Sequence, residues 1–173
     1  MAAAGAAALM SGAALAEGRW CAGQNIIVFS GGPAGGTFNA INDKGALQAA
    51  EDTGAAVQII YSEWNFDLMV TQFRAMIGQK PAGIAMMGHP GDAALLPLAA
   101  EAEAAGIKVM YMIVDVPDVR AKFGPSSGQD RAKCGSGFVG AQLYEQGRAL
   151  AAETLRLAGD KLKAGDHAIV MSR

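Results

Sequence analysis

The chain has 173 residues, is 51% hydrophobic and 17% charged, and carries a formal charge of -2. That profile fits one folded domain with a real core and excludes general disorder. No basic tract is present, so a nucleic-acid partner is excluded, because phosphate binding needs clustered Lys and Arg.

In chain order, residues Met1–Ala16 are uncharged, small and apolar, and end in Ala14-Leu15-Ala16. This is the small-x-small pattern of a secretory cleavage site, and it predicts a signal peptide over 1–16 and export to the periplasm or extracellular side. The basic start of such a peptide is missing, and an Ala-rich helix is the competing reading. The run is too short for a transmembrane span, so stable membrane insertion is not expected. Cys21 and Cys134 are the two cysteines; export permits a disulfide, and unpaired thiols fit equally. Without CxxC spacing they suggest no metal or redox chemistry.

Asn25–Ser30 ("NIIVFS") reads as a buried strand, followed by the glycine-rich turn "GGPAGG". A helix follows from Phe38, with Phe38, Ile41, Leu47 and Ala50 as its expected apolar face and Gly54 as its stop. Ala56–Tyr61 is the second strand and Asp67–Lys80 the second helix, with Leu68, Phe73, Met76 and Ile77 toward the sheet. Asn65 or Asp67 is its expected cap. Gly83–Met87 is the third strand. Asp92 is expected to cap the next helix, which has Pro97 near its start and ends at Gly106. Lys108–Val114 is the fourth strand, and Asp115–Gly137 reads as irregular. "FVGA" is a short strand, Leu143–Ala158 a helix and His167–Ser172 a last strand. The alternation predicts an α/β fold: a three-layer arrangement with a parallel sheet and helices on both faces.

The glycine turn is not a nucleotide fingerprint. It lacks the lysine of a P-loop, and Gly31, Gly32, Gly35 and Gly36 do not space as G-x-G-x-x-G. It remains either a packing turn or part of a site for a neutral ligand. Ligands of such sheets bind beyond the carboxyl ends of the strands. Those ends carry Ser30, Thr37 and Phe38; Glu63, Trp64, Asn65 and Phe66; His89; and Asp115. Hydroxyls, amides and carboxylates pair with sugar hydroxyls, and aromatic faces cover the C–H face of a sugar ring. The candidate ligand set is Ser30, Thr37, Phe38, Trp64, Phe66, His89 and Asp115. For Trp64 and Phe66 the alternative is cover for a sheet edge, for His89 a turn hydrogen bond, for Asp115 loop solvation, and for Ser30 a backbone contact. His89 and His167 are the only histidines, no nucleophile elbow is present, and no metal-ligand cluster appears. Neither bond chemistry nor a cofactor or metal is expected.

Three stretches carry a family resemblance: Ile26–Met87 ("IIVFSGGPAGG" through "GIAMM"), "DAALLPLAAEAEAAGIKVMYM" and "FVGAQLYEQGRALAAETL". In order and spacing the chain resembles the periplasmic sugar-binding proteins of the ribose-binding type, which serve ABC transporters. The resemblance implies a first lobe over 25–123, an irregular connection over 124–137, and a crossover with the start of a second lobe over 138–173. Relatives continue with a full second lobe, so the resemblance implies a truncated protein, with dimerisation through its incomplete part as one outcome. It also implies a monosaccharide or polyol ligand closed between lobes and delivery to a permease, without catalysis. By position it implies a polar contact from Ser30, an aromatic contact from Phe38 with Thr37 beside it, and a contact from the loop of His89. It places a sugar-binding acid near Asp115, which sits two residues late of Ile113, and puts Gln142 where relatives carry an acid. Two other classes share parts of this pattern. One is the effector-binding domain of a lactose-repressor-type regulator, for which no helix-turn-helix precedes the first strand. The other is a nucleotide-dependent Rossmann-type enzyme, against which the glycine spacing argues.

Overall fold

The computed structural model describes residues 19–125, 135–140, 143–161, 163 and 165–166. The expected signal peptide, Cys134, Gln142 and the strand expected over His167–Ser172 lie outside the described residues.

The described elements run β1 (Asn25–Phe29), α1 (Thr37–Thr53), β2 (Ala56–Ile60), α2 (Phe66–Gly78), β3 (Gly83–Met87), α3 (Asp92–Ala104), β4 (Lys108–Met112), α4 (Pro117–Phe123), β5 (Ser136–Val139) and α5 (Leu143–Ala158). The strands form one parallel sheet in the order β2-β1-β3-β4-β5. The chain therefore moves one way from β1 to β2 and the other way from β3 to β5. With right-handed crossovers, that reversal puts α1 on one face and α2, α3 and α4 on the other.

The main core lies on the three-helix face. Alternate strand residues point into it: Ile27 and Phe29 from β1, Ile84 and Met86 from β3, Val109 and Tyr111 from β4. Met69 and Phe73 of α2, Leu95 and Leu98 of α3, and Val119 and Phe123 of α4 close it. Phe29 and Phe73 meet as a tilted ring pair at 6.0 Å. Fully burying each such ring contributes about 1.5–3 kcal/mol. In α2, Met69 takes the inward place expected for Leu68, which is exposed.

Two helix readings are corrected. Asp115–Gly137 is not wholly irregular, because α4 forms over Pro117–Phe123 with Pro117 pre-set for the first turn. Its two large apolar residues, Val119 and Phe123, four apart, are both buried and dock the helix. Asp92 does not cap α3, whose cap position is Gly91 and has no side-chain bond. Instead its Oδ1 accepts the N–H of Val119 at 2.9 Å and ties α3 to α4.

The expected apolar face of α1 is also corrected. Phe38, Ile41 and Leu47 are exposed, whereas Asn39 is buried and Asn42, Asp43, Ala46 and Ala50 are half-buried. The inward face is polar at its start and small at its end. Hydrogen bonds hold it there: Asn39 Nδ2 donates to the Pro33 carbonyl at 2.8 Å, and Asp43 accepts from Ser30 and Tyr61. Gly54 ends the helix as expected, at φ 77° with its N–H on the Ala50 carbonyl.

On the α1 face the described residues cover the sheet only in part. A trough of about 1000 Å³ runs beside α1, lined among others by Ile26, Val28, Ala85, Met110, Met112 and Val139. On α5, Tyr144, Leu150, Leu155 and Leu157 are exposed.

Candidate ligand site at the carboxyl edge of the sheet

Three strand ends build the site. β1 ends at Phe29, and Ser30 follows, fully buried, with its N–H on the Ile60 carbonyl at 3.0 Å. Its hydroxyl donates to Asp43 Oδ1 at 2.6 Å, and the Tyr61 hydroxyl donates to Asp43 Oδ2 at 2.8 Å. One carboxylate thus clamps the ends of β1 and β2 to α1. The hydrogen bond to Asp43 holds the Tyr61 phenol above its ordinary range.

After β2 the backbone takes the left-handed conformation twice in a row, at Glu63 (φ 53°) and Trp64 (φ 57°). Such residues cost roughly 1–3 kcal/mol each and persist where surrounding contacts hold them. Here the Trp64 N–H donates to the Gly31 carbonyl at 3.0 Å, and the Asn65 N–H to the Ser62 carbonyl at 2.7 Å. Asn65 Oδ1 then caps α2 by accepting the Leu68 N–H at 2.9 Å, one of the two caps expected there. The kink turns the Trp64 side chain back over the glycine turn.

After β3, Gly88 is packed so tightly against the segment following β4 that a Cβ there would collide with the Val114 carbonyl. His89 follows and stands edge-on to Trp64, with centroids 5.6 Å apart and planes at 63°. It stacks on Phe66 at 6.0 Å and 29°, while Trp64 meets Phe38 at 5.8 Å. Four rings from three strand-to-helix junctions therefore form one continuous belt, Phe38–Trp64–His89–Phe66. Burial pushes the His89 imidazole below its ordinary value, so the ring is neutral at neutral pH. Its Nδ1 is buried, with no hydrogen-bond partner among the described residues.

The remaining expected positions fall outside the belt. Thr37 is exposed at the start of α1, next to Phe38. Ser30 spends its hydroxyl on Asp43. Asp115 accepts from Arg120 Nε and Nη2 at 3.1 and 2.8 Å, a fork that engages both carboxylate oxygens. The bond to Asp115 raises the Arg120 guanidinium further. Ile113, the alternative position for an acid, has φ 70°, which is rare for a β-branched residue. Asp43 and Tyr61 were missed by the sequence reading. The signal for Asp43 is its place four residues after Asn39, on a polar stripe that apolar periodicity does not see.

The glycine turn has a structural use that neither nucleotide nor ligand binding anticipates. A Cβ on Gly32 would stand 2.6–2.8 Å from Trp64 Cε2, Nε1 and Cζ2. One on Gly31 would stand 2.7 Å from Met87 Sδ and 3.0 Å from Trp64 Cζ3. The indole lies on the bare backbone of these two residues.

Fold and site together define a doubly wound α/β lobe with an aromatic belt at the carboxyl edge of its sheet. A periplasmic binding protein domain model matches residues 27–173, and the chain belongs to that family. No curated protein matches the sequence. Among solved structures, the chain is similar to a periplasmic sugar-binding protein from Pseudomonas fluorescens, with 19% identity and a TM-score of 0.61 over 82% of this chain and 39% of that one. It is also similar to GanP, a glucose-galactose binding protein from Geobacillus stearothermophilus, with 22% identity and a TM-score of 0.58 over 76% and 43%. A third is a periplasmic ribose ABC transporter structure from Conexibacter woesei, with 21% identity and a TM-score of 0.58 over 83% and 43%. The matched region spans about two fifths of the length of these structures. No helix among the described residues is long and apolar enough to cross a membrane.

Proposed function

We propose that this chain supplies a wall of a noncovalent binding site for a neutral monosaccharide or polyol, in the solute-binding component of an ABC importer. The belt Phe38–Trp64–His89–Phe66 carries the proposal. Aromatic faces desolvate the C–H face of a sugar ring, and flanking polar groups orient its hydroxyls. Family membership and the printed names of the three structural neighbours support a sugar as the ligand class. In this reading residues 25–123 are the binding lobe, 124–137 the connection and 138–173 the beginning of a second lobe. The protein works on the outer side of the membrane, releases its ligand unchanged to a permease, and pairs with a second copy through 138–173. Thr37, Ser30 and Asp115 are retained as ligand contacts only if a bound sugar releases the last two from their present partners.

The test is isothermal calorimetry with D-ribose, D-glucose, D-galactose and a polyol such as D-sorbitol, on this chain and on Trp64→Ala. At least one sugar binds, and the substitution weakens it about 10-fold, the equivalent of one aromatic contact of roughly 1.4 kcal/mol. Absence of heat with every sugar, or equal affinities for the two proteins, overturns the reading.

A further inference from the structure

We propose that Gly31 and Gly32 form a moulded seat for the Trp64 indole, which fixes the recognition wall before any ligand arrives. The inference rests on reading the belt as a ligand wall, and it assigns the glycine turn a positioning role rather than a ligand-contacting one.

Three independent features converge on the indole. The atoms nearest a Cβ on Gly32 include the ring-fusion carbon Cε2, so the turn lies against the face of the ring and not its edge. Gly31 lies under the benzene half, near Cζ3 and Cε3. The Trp64 backbone is held at φ 57° by its N–H bond to Gly31, so the residues that seat the ring also anchor its main chain. Phe38 and His89 bracket the ring at 5.8 and 5.6 Å. One indole face is taken by the turn, and the 43% of Trp64 that stays exposed is what a ligand meets. A ring seated on one face presents a flat, neutral surface on the other and loses less freedom on binding than an unseated one. That selects a ligand with one apolar ring face, laid on Trp64 from one side.

Gly32 is the clean position for a test. Gly31 has φ 84°, which strains any side chain, whereas Gly32 lies outside the left-handed region and its backbone accepts alanine. Trp20 is 80% exposed and distant from the belt, so Trp20→Phe leaves fluorescence to Trp64 alone. In that background, Gly32→Ala moves the ligand-free emission maximum to longer wavelength, raises acrylamide quenching, and removes the near-ultraviolet circular dichroism of the indole. A double-mutant cycle separates the seat from the turn. With Trp64 present, Gly32→Ala lowers Tm by roughly 2–4 °C; with Trp64→Ala the same substitution leaves Tm unchanged. Unchanged emission and quenching in Gly32→Ala overturn the seat. Equal Tm losses with and without Trp64, or failure of both Gly32→Ala proteins to fold, also overturn it, because the glycine then serves the turn alone. These readouts use no ligand, so they stand apart from the sugar titration that tests the binding reading.

Discussion

Asp43 accepts hydrogen bonds from Ser30 just past β1 and from Tyr61 just past β2, while its own backbone belongs to α1. Asp43→Ala leaves the Ser30 hydroxyl, fully buried, without its acceptor, and that loss alone costs about 1–3 kcal/mol, read as a lower urea midpoint. The same substitution returns the Tyr61 phenol toward its ordinary value, which ultraviolet titration follows. His89 gives the opposite kind of linkage. Its folded-state value lies below the 6.5 of an unperturbed imidazole, so the unfolded chain binds the proton more readily. The stability it contributes is complete above 6.5 and is lost as pH falls below that value and through the folded one. Thermal unfolding from pH 7.5 to 5 therefore shows a decline that His89→Gln reduces.

Among the elements, α4 shows what docking needs. Val119 and Phe123 bury its apolar stripe, and Asp92 satisfies its Val119 N–H from a neighbouring helix. Asp92→Ala frees that donor and costs about 1 kcal/mol, with faster amide exchange at Val119 than elsewhere in α4. The four long strands and the helices after β1, β2 and β3 were legible because continuous apolar runs, Gly54, Asn65 and Gly106 mark them directly. α4 was hidden because its seven residues offer one pair of apolar contacts inside a Gly-, Ser- and Pro-rich stretch. The inward face of α1 was hidden for a different reason: hydrogen bonds through Asn39 and Asp43 set its rotation, against its own apolar periodicity. At the site, the sequence placed Phe38, Trp64, Phe66 and His89 at strand ends, and topology brought them together. The use of Asp115 depends on Arg120, five residues away around a short helix, and the seating of Trp64 depends on a double left-handed kink. Neither leaves a trace in composition or spacing.

For the molecule as a whole, the sheet is unequally clothed. Among the described residues, α2, α3 and α4 cover one face, and α1 lies on the other beside the trough of about 1000 Å³. An apolar dye such as 1-anilinonaphthalene-8-sulfonate is expected to enter that trough in the native state. Met110→Glu lowers its fluorescence with little loss of Tm, because Met110 is already 43% exposed and its removal opens no cavity. A dye signal untouched by this substitution places the exposed apolar surface elsewhere, for example on Leu150, Leu155 and Leu157 of α5.

The half-open sheet also has a calorimetric signature. The heat capacity increment of unfolding reflects apolar surface newly wetted, about 12–15 cal/mol/K per residue for domains with both faces covered. Among the described residues, Ile26, Ala85 and Met110 line the trough and are half-buried or exposed before unfolding begins. The increment per residue is therefore expected to be smaller than in a fully enclosed lobe, and the curve of stability against temperature flatter, which differential scanning calorimetry checks.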